Sequence, residues 1–73
     1  AVEPFRLVRT RGHKLIRWES GREELYDHRT DPAEARNLAG EAGSAALLRD
    51  LRARLEARMR ETSDPALSWP APA

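Results

Sequence analysis

Two glycine-bearing breaks, Arg11-Gly12 and Ser20-Gly21, cut the first 28 residues into three short runs of β-forming residues. The runs are Phe5 to Thr10, His13 to Glu19 and Arg22 to His28. Each has an ordinary strand length, and the breaks are too short for anything but hairpins. The chain must therefore open as an antiparallel meander. Along the second run, Lys14, Ile16 and Trp18 share one face, and His13, Leu15 and Arg17 the other. On the third, Leu25 and Tyr26 point to opposite faces. Neither face is cleanly polar, whereas an isolated antiparallel sheet usually keeps one wet face. The pattern predicts partial cover on both faces, one by a local helix and one by something outside this chain.

That helix is predicted from Ser44, a candidate N-cap, to about Glu61. Leu47, Leu48, Leu51, Leu55 and Met59 form a narrow apolar stripe at helical spacing. Asp50/Arg54 and Glu56/Arg60 are acid-before-base pairs four apart. The stripe is too short for a coiled-coil seam and suits packing on the chain's own sheet. Between sheet and helix, Asp31-Pro32-Ala33-Glu34 reads as one capped helical turn over residues 32–36. Asp31 is the expected N-cap, Pro32 the first helical residue, and Glu34 the third, reaching back to the cap. Asn37 closes the turn in a left-handed conformation and Leu38 drops into the core. Residues 39–43 form a flexible link, and Asp64-Pro65 ends the long helix. The expected fold is a small α+β domain over residues 1–62. It has a three-stranded antiparallel sheet, a one-turn helix and one long C-terminal amphipathic helix packed on the sheet. Residues 63–73 are expected to form a Pro/Ala-rich tail around Trp69, extended or disordered.

Composition removes several function classes. At 73 residues the chain makes one small domain with a modest core. It has no cysteine, hence no disulfide and no thiolate metal site. No apolar run approaches a membrane span, and no signal peptide is recognisable. The start at Ala1 suits a processed product or an excised piece. Thirteen basic and twelve acidic residues are mixed along the chain, for a net charge of +1. A nucleic-acid footprint would be basic and one-sided, so none is expected. His13 and His28, with Asp27 and Asp31, match no recognised metal-ligand spacing. Ser20, Ser44, Ser63 and Ser68 lack a nucleophile elbow. No metal and no catalytic group is assigned within the chain. Trp18, Tyr26 and Trp69 are the aromatic candidates for an interface. For Trp18, core packing in the central strand is the simpler role.

The ordered set Arg9-Thr10, Lys14-Leu15-Ile16, Glu24-Leu25-Tyr26-Asp27, Asp31-Pro32, Glu34 and Asn37-Leu38 resembles the C-terminal subdomain of bacterial sulfatases. These belong to the alkaline-phosphatase superfamily. The likeness covers about residues 6–60. It departs from the family pattern at His13, more often Tyr, and at His28, commonly Leu. The resemblance implies a non-catalytic piece of a sulfuric ester hydrolase, packed against a catalytic α/β domain. The parent would carry formylglycine in a Cys/Ser-x-Pro-x-Arg motif and a divalent metal. Neither can be placed on any residue here, so no activity is expected from this chain alone. In such a parent, the loop bearing Arg11 and His13 is the candidate for shaping a substrate pocket. The rival reading is a free-standing interaction module that pairs with a second copy through a sheet edge or the leucine stripe.

Overall fold

A computed structural model describes residues 3–71. Strands β1 (Phe5–Arg9), β2 (His13–Trp18) and β3 (Glu23–Asp27) form an antiparallel sheet in the order β1-β2-β3. Helix α1 (Ala45–Glu61) follows after a 3-10 turn at Ala42–Ser44, and a second 3-10 helix spans Pro65–Ser68. The first hairpin closes with Thr10 N–H donating to His13, across the expected two-residue loop. The second uses three residues, Glu19 to Gly21. Gly21 has φ +94°, a left-handed position that favours glycine, as a three-residue hairpin with a bulge requires.

The core lies between one sheet face and α1. Leu15 and Leu25 from the sheet meet Leu48, Leu51, Leu55 and Met59 from the helix, all buried. Val8, Leu38 and Leu47 pack at its margin. The stripe thus packs on the chain's own sheet, as its spacing predicts. Ser44 precedes α1, but its side chain makes no capping hydrogen bond. Asp50 pairs with Arg54 at 3.0 Å. Glu56 turns instead toward Arg17, at 3.4 Å.

The expected helical turn over 32–36 does not form. Asp31 to Glu34 make a β-turn closed by Glu34 N–H to Asp31 O, with Pro32 at its favoured second position. Glu34 then takes φ +56°, which ends any right-handed turn. The Asp31 carboxylate caps later amides, accepting from Ala35 N and Arg36 N at 3.0 and 2.9 Å. Glu34 does not reach back to the cap, because its carboxylate is held by Lys14 and His28. Asn37 has no positive φ; its amide binds the edge of β3 instead.

The tail is neither extended nor disordered over residues 64–69. Asp64 N–H donates to Met59 O and Ser63 N–H to Arg60 O, with Ser63 at φ +53°. This is a Schellman closure with serine where glycine is usual. Asp64 then caps the 3-10 helix through Ala66 N and grips Arg6 of β1 at 2.6 and 3.0 Å. Ala66 is buried and Trp69 packs on the core beneath the Arg6 guanidinium, 5.2 Å from its ring centre. Burying these groups folds residues 64–69 back onto the domain. Pro70 and Ala71 continue past Gly21, and the last two residues of the expected tail, Pro72 and Ala73, lie outside the described residues.

Candidate functional site

The sheet face turned away from α1 gathers most of the aromatic and ion-paired residues singled out above. The register sets them in rows: Phe5 beside Trp18, Leu7 beside Ile16 and Glu24, and Arg9 beside Lys14 and Tyr26. Phe5 and Trp18 stack at 5.2 Å between ring centres, tilted by 50°. The Arg22 guanidinium lies 4.8 Å from the Trp18 ring centre. Phe5 and Leu7 remain 42% and 45% exposed, far above the core leucines. The β1 side of this face is therefore apolar and open.

The β3 side is polar and fixed. Glu24 accepts from Trp18 Nε1 at 2.6 Å and from the Tyr26 hydroxyl. The Tyr26 hydroxyl, aided by the Trp18 indole, holds the Glu24 carboxyl below its ordinary range. In return the Glu24 carboxylate pushes the Tyr26 hydroxyl up to about 12. Next to them, Lys14 Nζ and His28 Nε2 each lie 2.7 Å from Glu34 Oε2. Both contacts, Lys14 foremost, hold the Glu34 carboxyl below its usual range. The unusual backbone of Glu34 thus aims its carboxylate at two basic groups and pins the 28–38 loop to the sheet.

The candidate pocket loop is held by another cluster. His13 Nε2 lies 3.6 Å from Asp27 Oδ2 and 3.3 Å from Arg29 Nη2. Arg29, bonded to Asp27 at 3.1 Å, holds the Asp27 carboxyl down to about 2. Arg11 is exposed at the hairpin tip. A cavity of about 190 Å³ lies on the helix side of the sheet, and its lining includes Arg17, Glu56 and Trp69 but neither Arg11 nor His13. The structure therefore separates the sequence candidates. Trp18 and Tyr26 share the face away from α1, where Tyr26 is buried rather than open to a partner; Trp69 belongs to the helix side, and His13 and His28 contact different carboxylates, Asp27 and Glu34. Trp18 is not part of the core cluster.

One buried network had no sequence signal. Glu23, with its side chain 5% exposed, binds Arg52 at 2.6 Å and lies 3.6 Å from Arg17. Arg17 is buried at the sheet–helix junction, with Nε unpartnered. Arg17 faces the helix by simple alternation and meets Glu23 across the β2–β3 ladder, but its other partner, Glu56, lies 39 positions away on α1. Among the described residues, no three carboxylate, imidazole or thiol groups converge on one point. No described helix is long and apolar enough to cross a membrane. The chain matches no protein-family model, no curated protein and no solved structure.

Proposed function

We propose that this chain acts as a docking subdomain without catalysis of its own, the C-terminal piece of a sulfatase-like hydrolase. The observation that carries this reading is the open face opposite α1, where Phe5, Leu7, Ile16 and Trp18 form an apolar strip beside the fixed Glu24 and Glu34 pairs. A sheet that covers one face with its own helix and leaves the other apolar fits a partner surface. The resemblance carried by the ordered motif from Arg9 to Leu38 supports a catalytic α/β domain as that partner. The reaction class of the whole would be hydrolysis of sulfate esters.

The coding frame upstream of Ala1 provides the test. The reading expects it to continue into an α/β domain with Cys/Ser-x-Pro-x-Arg. In that longer protein, Ile16→Glu should loosen the docked subdomain and speed limited proteolysis at the junction. The 73-residue chain alone should not hydrolyse aryl sulfates, with or without divalent metal. A frame opening at or near Ala1 would favour the free-standing module. Turnover abolished by changing a residue of this chain would overturn the non-catalytic role.

A further inference from the structure

The two outer strands end the sheet differently. In β3, the backbone groups of Glu23, Leu25 and Asp27 point away from β2. Asn37 Oδ1 accepts from Leu25 N at 2.9 Å, and Asn37 Nδ2 donates to Glu23 O at 3.1 Å. Leu38 N donates to Leu25 O and Asp31 N to Asp27 O, both at 2.8 Å. In β1, Thr10 N to His13 O and Glu19 N to Pro4 O fix the phase of the ladder. Residues 4, 6, 8 and 10 bond toward β2, so Phe5, Leu7 and Arg9 turn their N–H and C=O outward. Among the described residues, the one partner of these groups is Arg6 Nη1, at 2.9 Å from Phe5 O. That carbonyl keeps a second lone pair. Such an edge is a template for another strand.

We infer that β1 pairs antiparallel with β1 of a second copy, about a two-fold axis at Leu7, to make one six-stranded sheet. This inference concerns the edge and does not rest on the sulfatase reading. The register follows from self-complementarity. Centring on Leu7 pairs all five strand residues and lets every outward group of Phe5, Leu7 and Arg9 meet its counterpart. Leu7 meets Leu7 of the second copy, and Phe5 meets Arg9 of the second copy, an aromatic beside a guanidinium. Just beyond the strand, Glu3, whose carboxylate already accepts from Ser20 N at 2.8 Å and lies 3.7 Å from Arg22, comes toward Arg11 of the second copy. Arg9 and Arg11 are both exposed, so their guanidinium groups are accessible to the second copy. Centring on Arg6 or Arg9 would instead set two arginines against each other. The axis is perpendicular to the sheet, so the two open faces join side by side into one continuous face, and the exposed Phe5 and Leu7 side chains gain cross-strand neighbours.

Two five-residue strands give an interface below the standard size, so the association is weak and shows at high concentration. Sedimentation equilibrium of the 73-residue chain, over a concentration series reaching the millimolar range, reads it directly. The average mass should climb from one copy toward two. Leu7→Pro removes an outward N–H without touching the β1–β2 ladder, and should hold the mass at one copy. Leu7→Lys places two charges at the axis and should do the same on a folded chain. A chain that stays single throughout the series overturns the inference. So does association that either folded variant leaves unchanged.

Discussion

Leu7 and Leu25 occupy equivalent places on the two outer strands, each with its amide turned away from the ladder. At Leu25 the chain finishes its own edge: Asn37 supplies an acceptor and Leu38 a donor, as a fourth strand would. At Leu7 nothing comparable is present among the described residues. Their side chains differ in the same sense. Leu25 is fully buried under α1, whereas Leu7 is 45% exposed on the open face. One edge and one face are thus closed from within, and the other edge and face meet along β1. Edge and face open together mark β1 as the side of the domain built for contact.

The sharpest break of this comparison is truncation of the two leucines. Leu25→Ala should cost roughly 2–5 kcal/mol by emptying a packed core site, and Leu7→Ala no more than about 0.5 kcal/mol. Urea denaturation of both variants measures the difference. Next comes the edge itself. Asn37→Ala should cost roughly 1–3 kcal/mol, because the Leu25 amide and the Glu23 carbonyl lose their partner together. Equal stability with the parent would mean that water closes the β3 edge as well as Asn37 does.

The strand the chain closes itself also carries the two most strongly shifted groups, Tyr26 and Asp27, and pH separates them. Tyr26 is the chain's single tyrosine, so its absorbance titration is unambiguous. Its folded value, about 12 against an ordinary 10.0, is raised. Its contribution to stability is therefore complete below pH 10 and lost as pH rises through about 12. Tyr26→Phe should flatten that alkaline loss. Asp27 behaves in the opposite sense. Its folded value of about 2 lies below the ordinary 3.8, so its contribution is present above pH 3.8 and fades as pH falls through about 2. Asp27→Asn should flatten the acid limb. A small effect of the opposite sign is expected at the helix end. Ser63→Gly should raise stability by about 0.5–1 kcal/mol, since glycine accepts φ +53° without strain. A loss on thermal unfolding would show that the serine side chain matters there.

The parts legible in the sequence are those built by local pattern. Strand phases followed from the β-forming runs and their glycines, and α1 from a stripe whose members all face one way. The open face was implied by Ile16, Trp18 and Tyr26 lying opposite Leu15 and Leu25. What could not be read depends on partners far along the chain. Asp31-Pro32-Ala33-Glu34 has the residues of a capping box, but Lys14 and His28 hold Glu34 in a left-handed backbone that no helix allows. Asn37 looked like a helix stop because its role as a strand substitute needs Leu25 beside it. The tail looked extended because its anchor is Arg6, fifty-eight positions from Asp64.

Residue-resolved hydrogen exchange on a dilute sample, where single copies prevail, tests the asymmetry of the two edges most directly. The Leu25 amide, donated to Asn37 at 2.9 Å, should be strongly protected. The Leu7 amide, in the same position on the other edge, should exchange nearly as fast as in an unfolded chain. Comparable protection at both amides, or rapid exchange at Leu25, would contradict an edge closed on one side and open on the other.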